Sequence, residues 1–240
     1  EKGVRSATIR RSVAGISTVY RLNRMPDPSK DPEVIIAMKR MHRKLGRAAK
    51  QAQGITSDLL EKLLTAIGNS PRGIRDRALL LVAYDTLCRR SELVSLDIED
   101  VKTTEKDGTP YTTILLRRSK TDQESTGRWL HLSTRTQIAL NQWLEVIKEK
   151  EGPLFRGIAS THKLGTRLSP GQVNRIYKYT ARNAKLDNNF IKSISGHSCR
   201  VGAAQDLVRS GASLPIIMSR GRWSKTDTVM RYVEHLSLAV

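Results

Sequence analysis

The sequence predicts a mainly α-helical protein with a small antiparallel β-sheet, and three observations carry that expectation. Apolar residues recur at three- and four-residue spacing, as in Ile9, Val13, Ile16 and Tyr20, which is the period of a helix with one buried face. Two runs, TTILLR at 112–117 and RWLHL at 128–132, have strand composition instead, and the polar stretch SKTDQESTG lies between them as a hairpin turn would. Ser, Asp and Pro precede the helical runs, and glycines follow several of them.

In chain order, a helix is expected at 6–23 with Ser6 as its cap. Arg10, Arg11, Arg21 and Arg24 fall mostly off its apolar stripe. MPDPSKDP at 25–32 is a proline-rich break, after which Asp31 and Pro32 read as cap and first helical position. Val34, Met38, Met41 and Leu45 line the next apolar face, with Lys39, Arg40, Arg43, Lys44 and Arg47 on the rest. GRAAKQAQG at 46–54 loses the period and reads as a linker, so two domains are expected, 1–54 and 55–240. Further helices are expected at 57–67, ended by Gly68, and at 72–88, where ALLLVAYDTL is apolar enough for a central position. Ser91 reads as the cap of a short helix through Leu96, and 134–149 and 170–185 are helical again. His197 opens another helix, broken at 210–213. Pro215 starts the next, and a third short one presents Tyr232.

Charge narrows the function. The 240 residues carry 42 Lys and Arg against 23 Asp and Glu, a net of +19, which points to a polyanionic partner. Residues 1–54 hold 13 basic against 4 acidic residues, a net of +9, so nearly half the excess lies in under a quarter of the chain. Phosphate contact along a DNA duplex, through Arg10, Arg11, Lys39, Arg40, Arg43 and Lys44, is the expectation. No apolar run approaches the ~20 residues of a spanning helix, and no signal peptide is seen, so no membrane partner is expected. Cys88 and Cys199 are the only cysteines. With no metal spacing, disulfide framework or Gly-rich phosphate loop, neither metal nor cofactor is expected, and a reducing, cytoplasmic, DNA-associated setting fits.

The densest chemistry lies in GHSCRVGAAQDLVRSGASLPIIMSRGRWSKTDTVMRYV, residues 196–233. His197 and Arg200 are three apart, so on a helix they share a face and converge on one anion. The helix N-terminus adds its own positive end. Arginine offers fixed bidentate donors to nonbridging phosphate oxygens, which makes Arg89 and Arg200 candidate clamps. Glu92 is a candidate orienter of Arg89. Lys120, near the hairpin tip, is a candidate general acid. The Trp223 indole can donate to a phosphate oxygen but cannot shuttle a proton. The Tyr232 phenol is a candidate nucleophile. Singly, each has an ordinary structural reading: Trp223 as a core aromatic, Lys120 as a solvated turn lysine, Tyr232 as an interfacial tyrosine.

This stretch, with TLCRRSEL at 86–93 and RRSKT at 117–121, resembles the tyrosine recombinase (phage integrase) family, and ATIRRSVAGISTVYR and RAAKQA extend the likeness over nearly the whole chain. The resemblance implies an integrase catalytic fold over 55–240, preceded by part of a helical core-binding domain. It also implies site-specific recombination through a 3′-phosphotyrosyl linkage at Tyr232 and a Holliday junction. Its partners would be double-stranded DNA and a homotetramer on two sites, with an accessory directionality factor left open, in a bacterial, phage or mobile-element context. Arg89, Glu92, Lys120, His197, Arg200, Trp223 and Tyr232 fall on the catalytic motif. Many members have histidine at Trp223, which matches one branch only. Two alternatives share parts of this pattern: strand relaxation of the type IB topoisomerase kind, and a non-catalytic DNA-binding regulator. The chain opens on Glu1, directly in helical sequence, and stops eight residues after Tyr232; a piece of a longer protein is expected.

Overall fold

Proline and the short oxygen-bearing side chains set most of the helix starts. In a computed structural model of the chain, which describes residues 3–46, 51–106, 108–119, 127–159, 161 and 163–233, the backbone divides into two compact units, 1–51 and 52–240.

The first unit is built on two helices, α1 (Ser6–Leu22) and α2 (Pro32–Leu45). Asp31 caps α2 as expected, accepting from the Glu33 N–H at 2.8 Å, with Pro32 in the first turn. Ser6 does not cap α1. Arg5 holds that position, and Ser6, inside the helix, turns its hydroxyl to His42 Nδ1 at 2.9 Å, tying α1 to α2. Between the helices Asp27 accepts from the Ser17 hydroxyl at 2.6 Å and the Ser29 N–H at 2.9 Å, and these bonds hold its carboxyl below the usual range. Among the described residues of this unit only Ser6 is buried, and Arg10, Arg11, Lys39, Arg40, Arg43 and Lys44 are all exposed.

The second unit is organised around α4 (Pro71–Thr86), capped by Ser70, whose run 78–83 is at most 4% exposed throughout. Burial of a single leucine contributes roughly 1.5–3 kcal/mol, so Leu79, Leu80 and Leu81 make this helix the anchor of the unit. It packs against α6 (Thr134–Ile147) and α9 (Ser198–Arg209). The helices α3 (Ser57–Thr65), α5 (Arg90–Ser95), α7 (Pro170–Asn183), α8 (Asn188–Ser193), α10 (Leu214–Gly221) and α11 (Thr226–Val233) complete the helical shell. A three-stranded antiparallel sheet runs in the order β1 (Val101–Lys106), β2 (Thr109–Leu116), β3 (Arg128–His131), with Val101 opposite Ile114 and Ile114 opposite Leu130. A second pair is β4 (Arg156–Ile158) with β5 (Leu164–Arg167).

Several expected boundaries move. The central helix ends at Thr86, because Leu87 takes a left-handed φ of 50°, and Cys88 lies beyond it. Arg89, not Ser91, is the cap of α5, with Glu92 closing the reciprocal bond to the Arg89 N–H. Helices expected to reach 67, 149 and 185 stop at Thr65, Ile147 and Asn183. The expected hairpin is β2–β3, but β1, β4, β5 and α8 are additional. Each of these three strands owes its existence to pairing rather than to its own composition, as the polar VKTTEK of β1 illustrates.

Two contacts seat α9. Asp206 Oδ2 accepts from the Tyr84 hydroxyl at 2.5 Å and the Ser57 N–H at 2.7 Å, joining α3, α4 and α9. At Gly202 a Cβ would lie 1.9 Å from the Ile55 carbonyl oxygen, so only glycine lets residues 55–56 cross the helix.

Candidate active site

The first wall of the site is the chain leaving α4. Leu87 reverses direction in its left-handed turn, which aims the Thr86 and Leu87 carbonyls inward and leads at once into Arg89 and α5. Glu92 is 5% exposed and spends both oxygens here. Oε1 accepts from Arg89 Nη1 at 2.6 Å, and Oε2 from the Arg89 N–H at 2.9 Å and Arg222 Nη2 at 3.0 Å. Burial pushes its carboxyl up, but the two Arg89 bonds and the Arg222 charge outweigh that and hold it below the usual range. Glu92, expected to accept from Arg89 or another group of the site, contacts both Arg89 and Arg222. Arg90, its neighbour, packs its stem where a Gly196 Cβ would sit, 2.9 Å from Cδ.

The second wall is the start of α9. His197 is its cap residue and Arg200 lies in its first turn. Arg200 is 1% exposed, and its terminal nitrogens donate to the Leu87 and Gly221 carbonyls, bridging the ends of α4 and α10. Its guanidinium carbon lies 4.6 Å from the centre of the Trp223 ring. Among the described residues its Nε has no hydrogen-bond partner. Burial, and after it the Arg89 and Arg222 charges, lower its pKa to about 10, so it stays charged at neutral pH.

The third wall is α11. Tyr232 OH is 2.7 Å from His197 Nε2, and the Tyr232 ring stacks obliquely on Trp223 with centres 5.2 Å apart. Gln205 Nε2 donates to the Tyr232 carbonyl at 3.2 Å, so α9 also holds the backbone of the tyrosine. Burial, followed by the Arg200 and Arg89 charges, lowers the His197 pKa to about 4. The imidazole is therefore neutral at pH 7. With its proton on Nδ1, Nε2 accepts from the phenol.

Arg89, Glu92, His197, Arg200, Trp223 and Tyr232, spread over 144 positions from 89 to 232, thus converge on one place. Residues 53–237 match the sequence profile of the phage integrase family. The chain belongs to that family. Within it, the Cre recombinase of Escherichia phage P1 is 31% identical over 98% of this chain and 72% of its own. An integrase/recombinase XerD homologue of Selenomonas ruminantium is 30% identical over 87% and 61%. The second of these relatives is therefore covered over less than two thirds of its length. Solved structures carry the same fold: a lambda integrase dimer bound to a COC′ core site superposes with a TM-score of 0.62 at 15% identity over 98% of this chain and 61% of that one. The XerH recombinase in a pre-cleavage complex with difH gives 0.60 at 17% identity over 95% and 66%. The expected integrase catalytic fold, mainly helical with small antiparallel sheets, is thus what this phage integrase family member adopts.

Not every expectation lands in the site. Lys120 lies outside the described residues. Trp223 is 7% exposed and packs with Leu87, Ala203, Ala204, Ile217 and Val229, so it is a core aromatic as well as a wall of the site. A separate cavity of about 410 Å³, lined by Arg72, Arg75, Asp76 and Tyr179 among others, holds none of the site residues. Arg222 escaped the sequence reading altogether. In GRW it looks like one more of 42 basic residues, and only its burial beside Glu92 marks it out. No helix among the described residues is long and apolar enough to cross a membrane.

Proposed function

We propose that the chain is the DNA-cleaving part of a tyrosine-type site-specific recombinase, with Tyr232 as nucleophile. The observation that carries this is the 2.7 Å contact of the Tyr232 hydroxyl with a neutral His197, beside the buried guanidinium of Arg200. In this reading the phenol gives its proton to His197 Nε2 as its oxygen attacks phosphorus. A bond forms between Tyr232 and the 3′-phosphate, the bond to the 5′ oxygen breaks, and that oxygen takes a proton from Lys120. Arg89 and Arg200 stabilise charge growing on the nonbridging oxygens. A 5′-hydroxyl from the other duplex then displaces Tyr232, and two such exchanges pass through a Holliday junction. Phenol is a good enough leaving group for this reversal to need no nucleotide.

Double-stranded DNA is the partner, gripped in part by phosphate contacts from Arg10, Arg11, Lys39, Arg40, Arg43 and Lys44. A homotetramer on two paired sites supplies the second duplex, and an accessory directionality factor would act on that assembly. The protein works in the cytoplasm of a bacterial host, on the DNA of the cell, a phage or a mobile element. A nicked duplex carrying the sequence that the protein selects from a random pool tests the reading. Wild-type protein should yield a covalent adduct on a denaturing gel, and Tyr232→Phe should bind the duplex as tightly with no adduct; adduct from Tyr232→Phe excludes this nucleophile.

A further inference from the structure

Arg222 stands in a place where neither its backbone nor its charge is at ease. Its φ of 55° and ψ of 48° are left-handed, which favours glycine. The residue is 8% exposed, so a cation is withdrawn from water. What its side chain touches explains the arrangement. Nη1 donates to the Thr86 carbonyl at 2.8 Å, and Nη2 lies 3.1 Å from the Leu87 carbonyl and 3.0 Å from Glu92 Oε2. Every one of these acceptors belongs to the segment that carries Arg89.

Two of the acceptors are shared with the phosphate clamps. The Leu87 carbonyl also accepts from Arg200 Nη1, and the Glu92 carboxylate also accepts from Arg89. Arg222 is therefore linked to both clamp arginines through an acceptor that it shares with each. If it were absent, Glu92 would be a buried carboxylate whose one remaining side-chain cation is Arg89. Oε2, left with only the Arg89 backbone N–H, would then compete with the DNA for that guanidinium. The turn at Leu87, left-handed with a φ of 50°, would also lose the forked donor that pins its two carbonyls.

We propose that Arg222 is a positioning residue for strand cleavage: by occupying one oxygen of Glu92 and clamping the 86–87 turn, it presets Arg89 and Arg200 for the phosphate without touching DNA. Preorganisation of this kind acts on the transition state far more than on ground-state binding. The inference rests on the recombinase reading of the site.

Glycine suits the backbone at 222, so Arg222→Gly removes the side chain without adding strain. On the nicked duplex, under single-turnover conditions at saturating protein, this variant should cleave about 10- to 100-fold more slowly, the usual scale for a reacting geometry loosened by an ångström. Its DNA affinity should change less than about threefold, since the exposed cations proposed to hold the flanking phosphates are untouched. Millimolar guanidinium ion should restore part of the rate to Arg222→Gly and none to wild type, which a merely structural defect would not allow. Combining it with Glu92→Gln should be no slower than the slower single variant, because both break one unit. Arg222→Lys, whose ammonium cannot fork between three acceptors, should fall between glycine and wild type.

Full-rate cleavage by Arg222→Gly, a loss confined to DNA affinity, or fully multiplicative defects in the double variant would each overturn the proposal. Should Arg222→Gly melt below the assay temperature, Arg222→Lys decides, and wild-type cleavage by it would overturn the need for a forked donor. A wild-type protein that forms no adduct would instead overturn the recombinase reading on which the role rests.

Discussion

Arginine does opposite work in the two units. In the first, Arg10, Arg11, Arg40 and Arg43 stand exposed on two helices whose only buried described residue is Ser6. In the second, Arg200 and Arg222 are 1% and 8% exposed, and their terminal nitrogens are committed to carbonyls of Thr86, Leu87 and Gly221 and to Glu92. An exposed cation acts through a field that salt screens within about 8–10 Å, and lysine serves nearly as well. A buried guanidinium acts through fixed donors in a place water does not reach, and there lysine does not substitute. On the proposed reading, the same residue type supplies grip in one unit and geometry in the other.

Lys120 offers the sharpest break with both kinds, because a lysine can give up its proton and an arginine cannot. If it protonates the leaving 5′ oxygen, Lys120→Ala should slow single-turnover cleavage by ~10² to 10⁴. A 5′-thio substrate, whose leaving group needs no proton, should return most of that rate. An equal defect on both substrates would assign Lys120 to the field-making cations instead.

Next in size, Arg200→Ala should lose about 10² to 10³ in cleavage rate, the scale for one preorganised donor to developing charge. Arg200→Lys should recover little of it. Recovery to near the wild-type rate would mean that charge alone matters at this position and would erase the contrast with the first unit.

Removing exposed cations should leave the chemistry alone. Arg43→Ala with Lys44→Ala should flatten the fall of log K with log salt by about 0.9 for each phosphate no longer neutralised, with cleavage at saturating protein unchanged. A titration of DNA binding between low and moderate salt reads this directly. An unchanged slope would remove these two residues from the DNA.

The smallest effect is read by pH at the half-buried His197. The His197 pKa is depressed to about 4, first by burial and then by the Arg200 and Arg89 charges, so the neutral, proton-accepting form prevails above that value. Only about one molecule in a thousand is protonated at pH 7 on that basis. The cleavage rate should therefore hold level from pH 8 down to about 5 and fall as pH drops through about 4. A midpoint near 6.5, the ordinary imidazole value, would show that His197 is solvated or does not act as the base.

Much of this protein is legible along the chain. The 3.6-residue period placed α1 and α2, the apolar run ALLLVAYDTL placed α4, and Ser169 with Pro170 announced α7. Arg89, His197, Arg200, Trp223 and Tyr232 were marked by their order and separation through the resemblance to the tyrosine recombinases, since singly each has an ordinary structural reading. The excess of basic residues before position 54 pointed to a polyanion, because composition alone sets net charge.

The remainder is non-local. β1, β4 and β5 exist only because partners satisfy their backbone groups, and nothing in VKTTEK records who that partner is. Ser6 reads as a cap until α2 brings His42 within 2.9 Å of its hydroxyl. Arg222 is one basic residue among 42 until Glu92, 130 positions earlier, closes a buried ion pair with it. A side chain's type is written locally, but its solvation and its partners are properties of the folded chain, and those decide whether an arginine grips DNA or holds another arginine in place.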